Sequence, residues 1–182
     1  MKAWQHSVLI TGGGTGIGLA LAQTFYRAGN QVILVGRRDA HLVDAAKTMP
    51  GANIFVADVA KSDDRAHLAD RFPEVDILVN NAGVRYPASF AEATEEDLQQ
   101  ELAVNLLAPI LLAQAFLPNL MHKPEAAIIN VSSAAALVPR EVTAMYSASK
   151  AALHSFTKSM RWQLEKTSVR VFEVMPPVVE TR

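Results

Sequence analysis

The chain contains no cysteine, and this absence limits both its chemistry and its surroundings. Without thiols there is neither a disulfide framework nor a thiolate metal site. The five histidines are scattered and show no metal-ligand spacing, so we predict no metal site. The lack of cysteine is compatible with the cytoplasm, which is the location we expect.

Excess charge and a targeting segment are also missing. Lysine and arginine number 17 against 18 acidic residues, which gives a net charge of -1 and no attraction to nucleic acid or to an acidic membrane surface. Residues 1–7 contain one lysine and lead into a short apolar run, which is neither a signal peptide nor a membrane span. With 182 residues, half of them hydrophobic, we expect a single domain over 1–182 with a substantial core.

Apolar runs of strand length alternate with helical patterns along the whole chain. The strands are predicted at 7–11, 32–35, 54–57, 77–79, 126–131 and 169–175. The helices are predicted at 17–28, 40–49, 62–72, 94–121 and 145–165. Near-continuous apolar strands between helices indicate a parallel sheet covered on both faces. The predicted fold is therefore α/β, a doubly wound three-layer αβα Rossmann arrangement with strand order 3-2-1-4-5-6.

Local signals predict how some of these helices begin and bend. Ser62, followed by two aspartates, is predicted to be an N-cap, and Thr94 is predicted to cap the long helix. We interpret Asp39 as the N-cap of the second helix. Pro109 is predicted to kink the long helix, because proline removes a backbone hydrogen bond.

A glycine-rich turn, reading Thr-Gly-Gly-Gly-Thr-Gly-Ile-Gly over residues 11–18, joins the first strand to the first helix. Gly12 can adopt backbone angles that a Cβ forbids. Gly16 lets the backbone approach a pyrophosphate, and Gly18 lets the helix pack closely on the strand. The helix N-terminus then directs free N–H groups at the phosphates.

The other unusual segments also directly follow strands. They are Gly36-Arg37-Arg38, Asp58-Val59, Asn80-Asn81-Ala82-Gly83, Ser132-Ser133 and Pro176-Pro177. Parallel strands end at one edge of the sheet, so these segments are expected to meet there. Ligands of such sheets bind where the winding reverses, here between the first and fourth strands.

Together these segments resemble the short-chain dehydrogenase/reductase family over almost the whole chain. The resemblance rests on the glycine turn, Asp58-Val59, the Asn-Asn-Ala-Gly segment, Asn105, Ser133 with Tyr146-x-x-x-Lys150, and the Pro-Pro-Val-Val-Glu-Thr segment. The glycine spacing is typical of the ordinary branch rather than the extended, epimerase-like one. The triple glycine and the Pro-Pro pair look like a bacterial subgroup, the DltE-type oxidoreductases.

The resemblance implies hydride transfer between NADP(H) and a carbonyl or alcohol, with Tyr146 as general acid and base. Tyr146 and Lys150 are four residues apart and share one helix face. A free phenol ionises near pH ~10, and a neighbouring ammonium favours its phenolate. Ser133, thirteen residues before the tyrosine, would polarise the substrate oxygen, with Ser132 as the rival serine. Asn105 would position a water for a proton relay.

The resemblance also implies a set of cofactor contacts along the sheet edge. They are Gly12, Gly14, Thr15, Gly16, Ile17 and Gly18 at the turn, Asp58 and Val59 beside the adenine, Asn80, Ala82 and Gly83 beside the ribose and nicotinamide, then Tyr146, Lys150, Pro176, Val179 and Thr181. Pro177 stands where the family usually has glycine, which weakens the expected carboxamide contact.

The end of the second strand favours NADP(H) over NAD(H). Relatives that prefer NAD place an acid there for the ribose 2′-hydroxyl, whereas this chain has Gly36 followed by Arg37 and Arg38. The planar fork of arginine suits a 2′-phosphate. Asp39 remains the alternative ribose acid if the loop is shifted.

Two functions stay open from the sequence. Family members usually continue for several dozen residues beyond the Pro-Pro segment and so cover the substrate, whereas this chain ends at Arg182, as a fragment or a shortened member lacking that lid. The intact catalytic set favours a reductase or dehydrogenase of small molecules, and the ending favours a non-catalytic cofactor-binding module, such as a redox sensor or assembly partner.

Loop residues near the predicted cleft that are candidates for substrate contact are Arg85, Tyr86, Val138 and Arg140. Relatives associate through their two long helices, so we expect a homodimer or homotetramer.

Overall fold

The computed structural model describes residues 4–86 and 91–177 of the chain. Six strands form one sheet: β1 (Ser7–Thr11), β2 (Gln31–Gly36), β3 (Asn53–Val56), β4 (Ile77–Asn80), β5 (Ala126–Val131) and β6 (Val169–Val174). Their order is β3-β2-β1-β4-β5-β6, and every neighbouring pair is parallel. This order confirms the predicted doubly wound sheet and brings the carboxyl ends of all six strands to one edge.

Helices cover both faces of the sheet. They are α1 (Gly16–Arg27), α2 (Asp39–Ala46), α3 (Ser62–Arg71), α4 (Glu95–Leu102), α5 (Ala108–Met121) and α6 (Ala144–Gln163). Strand β1 shows why its residues are apolar throughout. Val8 and Ile10 pack in a core with α1 and α2, while Leu9 lies in the opposite core with α3, α5 and α6. Burial on both faces explains the near-continuous apolar runs of the sequence.

The helix predicted over 94–121 is one helical span with a change of winding inside it. A π-helical turn, Ala103–Leu107, joins α4 to α5. Pro109 lies in the first turn of α5 and follows this wider turn directly. The missing N–H of the proline is thus accommodated by a π turn.

Helix starts agree with the sequence at one site and differ at two. Thr94 caps α4 as predicted, and its hydroxyl accepts the Asp97 N–H at 3.1 Å. The predicted caps at Asp39 and Ser62 are wrong by one residue, because these residues are the first of α2 and α3 and the caps are Arg38 and Lys61. Aspartate and serine are favourable in the first turn of a helix as well as at the N-cap, so the sequence locates the N-cap only to within a residue or so.

A buried chain of hydrogen bonds fastens α5 and α6 to the sheet. The Asn80 amide donates to Asn130 Oδ1 at 2.9 Å and to the Pro109 carbonyl at 3.3 Å. Asn130 Nδ2 in turn donates to Thr157 Oγ1 on α6 at 2.8 Å. Buried polar groups with such partners fix the relative position of the elements that carry them.

Within the described ranges, the helical span Glu95–Met121 is the one segment long and apolar enough to cross a membrane on composition. The span packs on the sheet, and its Phe116 and Leu120 side chains are fully buried there. A helix packed in a protein core can be equally long and apolar, and packing on the sheet accounts for the length and hydropathy of this span.

Candidate active site

A cleft of about 430 Å³ lies along the carboxyl edge of the sheet. All six strand ends contribute residues to it, as the order of the sheet predicts. The residues singled out from the sequence that line it are Gly12, Gly14, Thr15, Gly16, Ile17, Gly18, Arg37, Arg38, Asp58, Val59, Ala82, Gly83, Arg85, Ser132, Ser133, Arg140, Tyr146, Lys150, Pro176 and Pro177. The other two candidates for substrate contact, Tyr86 and Val138, are not part of this lining. Val179 and Thr181 lie outside the described residues.

Two of the asparagines singled out from the sequence do not line the cleft. Asn80 is 2% exposed and belongs to the buried hydrogen-bond chain described above. Asn105 is fully buried in the π turn. Asn81, which follows Asn80, lines the cleft instead.

The glycine turn is held in shape by Asn81. Gly12 has a φ of +66°, in the left-handed region that favours glycine. The Asn81 amide donates to the carbonyls of Thr11 at 2.9 Å and Gly12 at 3.3 Å. Sequence reasoning missed this supporting role, although Asn81 stands inside the Asn-Asn-Ala-Gly segment.

The start of α1 is suited to phosphate. Its N-cap, Thr15, makes no side-chain hydrogen bond to the first turn, so the first N–H groups of the helix are not satisfied by their own cap. These groups and the positive end of the helix dipole face the lining of the cleft, where an anion is stabilised.

Basic side chains line the cleft after β2. Arg37, Arg38 and His41 lie there together, while Asp39 is in the first turn of α2 and is not part of the lining. After β3, Asp58 is fixed from both sides, because its N–H donates to Asp64 at 2.7 Å and its own carboxylate accepts the Ala60 N–H at 3.0 Å.

Lys150 is buried beside Tyr146. Its Nζ donates to the Val131 carbonyl at 2.9 Å and lies 5.7 Å from the centre of the Tyr146 ring. The side chain is 4% exposed, and burial lowers the pKa of Lys150 to about 8. No carboxylate pairs with this amine in the part of the chain that the structure describes.

The two consecutive serines have different partners. The Ser132 hydroxyl is buried and donates to Glu173 Oε1 at 2.5 Å. The other oxygen of Glu173 contacts His154 Nδ1 at 2.8 Å. Ser133 is half-buried, and its oxygen accepts the Ala135 N–H at 3.1 Å. The O–H of Ser133 has no acceptor among the described residues, so it is the serine able to donate into the cleft.

Asn105 acts on the loop that follows β4. Its Oδ1 accepts the Val84 N–H at 2.9 Å, and its Nδ2 donates to the Val84 carbonyl at 2.9 Å and to Ser149 Oγ at 3.2 Å. This side chain therefore ties the loop to α6, one residue before Lys150. Pro109 carries no N–H, so the Asn105 carbonyl lacks the α-helical donor four residues ahead.

Glu173 and His154 were not found by sequence reasoning. His154 lies four residues after Lys150 and eight after Tyr146, which places all three on one face of α6. That spacing was a usable signal for His154. Glu173 gave no such signal, because its partners are more than 18 residues away in the chain.

The lowered pKa of Lys150 predicts a pH-dependent stability. Burial favours the neutral amine, so holding the ammonium in the fold costs free energy below pH about 8. As the pH rises from about 8 towards 10.5, the unfolded chain binds more protons than the folded one, and that cost is relieved. Relative to Lys150→Met, we expect the free energy of unfolding in urea to gain about 3 kcal/mol over this window, at ~1.36 kcal/mol per pKa unit.

The exposed Lys158 of α6 provides the control for this measurement. Lys158→Met should leave the difference from the native chain constant across the same pH range. A flat difference for Lys150→Met would show that the buried amine does not carry this proton linkage.

Comparison with known proteins agrees with this geometry. Residues 6–182 match the short chain dehydrogenase family. The chain is 43% identical to the uncharacterized oxidoreductase DltE of Bacillus subtilis (strain 168), over 100% of this chain and 74% of that protein. L-Sorbose reductase from Gluconobacter frateurii, solved with NADPH and L-sorbose, has a TM-score of 0.93 at 29% identity, over 100% of this chain and 73% of that one. A short-chain dehydrogenase/reductase from Burkholderia phymatum, solved with NAD, has a TM-score of 0.93 at 26% identity, over 100% and 68%.

The chain belongs to the short-chain dehydrogenase/reductase family. Its class is that of an NAD(P)-dependent oxidoreductase, which confirms the class of enzyme predicted from the sequence. The similarity to DltE also confirms the bacterial subgroup that the triple glycine and the Pro-Pro pair suggested.

Proposed function

We propose that this protein transfers hydride between NADP(H) and a small carbonyl or alcohol, with Tyr146 moving the proton. The observation that carries this proposal is the meeting of Tyr146, Ser133 and Lys150 on the lining of one cleft. The glycine turn of the same cleft has the shape and the free N–H groups that a dinucleotide pyrophosphate needs.

The catalytic roles follow from the donors available. The nicotinamide supplies or accepts the hydride when the cofactor is bound. Tyr146 gives its proton to the carbonyl oxygen in reduction and takes it back in oxidation. The O–H of Ser133 donates to the same oxygen and polarises the carbonyl. The Lys150 ammonium, 5.7 Å from the Tyr146 ring centre, stabilises the phenolate left behind and also holds the nicotinamide ribose.

Asn105 contributes to proton supply through its backbone. Its side chain is committed to Val84 and Ser149, so both of its amide N–H groups are already used. Its carbonyl oxygen lacks the α-helical N–H that Pro109 cannot provide. We assign the water of the relay to this carbonyl, because Asn105 and Lys150 both border Gly83.

Preference for NADP(H) is assigned to Arg37 and Arg38. Both line the cleft after β2, and each can donate two hydrogen bonds to a 2′-phosphate. In the double variant with Arg37→Gln and Arg38→Gln, we expect the Kd for NADPH to rise about 100-fold, since each charged hydrogen bond lost is worth ~1.5–3 kcal/mol before screening by solvent. The Kd for NADH, which has no 2′-phosphate, should change by no more than about 3-fold. Titration followed by nicotinamide fluorescence measures both constants.

Arg170→Gln on the exposed face of β6 is the matched control and should leave both constants unchanged. Equal weakening of NADPH and NADH in the double variant, or a native preference for NADH, would contradict the assignment of these two arginines.

Assembly and location complete the proposal. We assign a homodimer or homotetramer to contacts through α4, α5 and α6. Exposed apolar side chains on this helical layer support that contact: Leu107, Met121 and Trp162 expose 49%, 50% and 69% of their surface. We place the enzyme in the cytoplasm, in agreement with its lack of cysteine.

A further inference from the structure

We propose that the substrate carries an oxoanion, a carboxylate or a phosphate, which is held by Arg85 and Arg140. This inference rests on the proposed function, because both arginines line the same cleft as Tyr146 and Ser133. Arg85 lies in the loop after β4, and Arg140 lies between β5 and α6. One arginine therefore comes from the loop after β4, and the other from the segment that joins Ser133 to Tyr146.

The backbone on both sides of Arg85 is fixed by side chains from the neighbouring helices. Asn105 holds the N–H and the carbonyl of Val84, each at 2.9 Å. Glu101, which is 2% exposed, accepts the Tyr86 N–H at 2.7 Å. These bonds fix the backbone on either side of Arg85, so its side chain extends from a defined position at the cleft.

Arg140 is fixed in a similar way to the helix that carries the catalytic tyrosine. Its N–H donates to Ser147 Oγ at 3.2 Å, and its carbonyl accepts the Thr143 N–H at 3.1 Å. The Ser147 hydroxyl donates to the Thr143 carbonyl at 2.9 Å, which closes the turn. Ser147 directly follows Tyr146, so the arginine and the proton donor move with the same turn of α6.

The charges of the cleft are one-sided. Its lysine and arginine lining residues are Arg37, Arg38, Arg85, Arg140 and Lys150, with His41 beside the first two, and the one acid in the described lining is Asp58. Asp58 follows β3, so it lies away from Arg85 and Arg140 along the sheet edge. Neither of these two arginines has a carboxylate within 4 Å among the described residues. Glu101, whose charge interacts with Arg85 from a longer distance, lies outside the lining and uses its Oε1 to accept the Tyr86 N–H.

This excess of positive charge is local, because the whole chain has a net charge of -1. Arg37 and Arg38 are already assigned to the cofactor's 2′-phosphate. Two further arginines line the same cleft as Tyr146, where an anion would offset their like charges, and the planar fork of arginine fits a carboxylate or phosphate with two hydrogen bonds. A cleft of one sign also concentrates the oppositely charged substrate.

Matched pairs of carbonyl compounds test the inference. Levulinate with methyl levulinate tests for a carboxylate, and dihydroxyacetone phosphate with dihydroxyacetone tests for a phosphate. With NADPH, we expect the acid of at least one pair to have a kcat/KM about 10-fold to 100-fold above its neutral partner, as charged hydrogen bonds predict. Arg85→Gln and Arg140→Gln should each remove most of that advantage through KM, with the Kd for NADPH unchanged.

A second readout keeps the inference independent of turnover. The same pairs are titrated calorimetrically into the NADP⁺-loaded Tyr146→Phe variant, which retains both arginines. Tighter binding of an acid than of its neutral partner, lost in Arg85→Gln and weakened by added salt, supports the anion site. If the native chain also reduces no compound, the absence of turnover overturns the proposed function but not the anion site. Equal affinity and equal kcat/KM for acid and neutral partner in both pairs would overturn the anion site and leave the oxidoreductase proposal standing.

Discussion

Tyr146→Phe should lower the kcat for carbonyl reduction about 10³-fold to 10⁴-fold, because it removes the proton donor and leaves the rest of the cleft in place. The ring remains beside Lys150, whose Nζ keeps its bond to the Val131 carbonyl. The Kd for NADPH should therefore stay within about 2-fold of the native value, since no charged contact is lost. Loss of NADPH absorbance with a panel of aldehydes and ketones measures the rate, and fluorescence titration measures the Kd.

Tyr26→Phe is the matched control, because its hydroxyl donates to the Pro50 carbonyl at 3.0 Å, away from the cleft. This variant should retain the native rate. Turnover that persists in Tyr146→Phe would contradict the tyrosine mechanism. A native chain that binds NADPH and reduces no member of the panel would instead favour the non-catalytic cofactor-binding module.

Gly18→Ala is expected to have the largest effect on stability. It should destabilise the fold, although helix propensity alone predicts that alanine stabilises a helix relative to glycine. In a helix interior, alanine is favoured over glycine by ~1 kcal/mol. At Gly18, however, a Cβ would lie 2.1 Å from the Gly12 carbonyl oxygen and 2.5 Å from Asn81 Nδ2. Asn81 cannot withdraw without losing its bonds to Thr11 and Gly12, so the clash displaces α1 from the turn.

We expect this displacement to lower the free energy of unfolding by about 3 kcal/mol, as overpacking of a tight site does. The Kd for NADPH should rise at least 10-fold, because the N–H groups of α1 leave their positions. Urea unfolding and fluorescence titration measure the two effects. Gly36→Ala is the stability control, since a Cβ there would meet Leu42 at an ordinary 3.4 Å. Equal losses of stability in both variants would contradict the steric account of Gly18.

The sheet could be predicted because its signals are local. The inner strands β2, β1, β4 and β5 are short apolar runs because they are buried on both faces, whereas the edge strands β3 and β6 are partly exposed and still end at the same recognisable turn residues. The right-handed crossover rule then leaves few strand orders to choose from. The cleft follows from the same argument, since parallel strands all end at one edge.

The direction of neighbouring side chains at that edge could not be predicted. Consecutive residues at a strand end point to opposite faces, so one of two identical neighbours reaches the cleft and the other does not. The asparagines divide in this way, with Asn80 buried and Asn81 lining the cleft. Both serines line the cleft and differ in their partners, since Ser132 binds Glu173 and Ser133 keeps a free O–H. Such choices depend on partners far away in the chain, as do the π turn before Pro109 and the clasp of Asn105 on Val84.

Two contacts of α6 near the end of β5 fix the register of the helix. At intervals of one turn it presents Tyr146 to the cleft, Lys150 to the Val131 carbonyl and His154 to Glu173, which holds Ser132. A shift of the helix by one residue is a translation of only ~1.5 Å, but it rotates the face that carries Tyr146, Lys150 and His154 by about 100°. Both fastenings would then open together. Tyr146 therefore keeps its position relative to the end of β5 for as long as these two contacts of α6 hold.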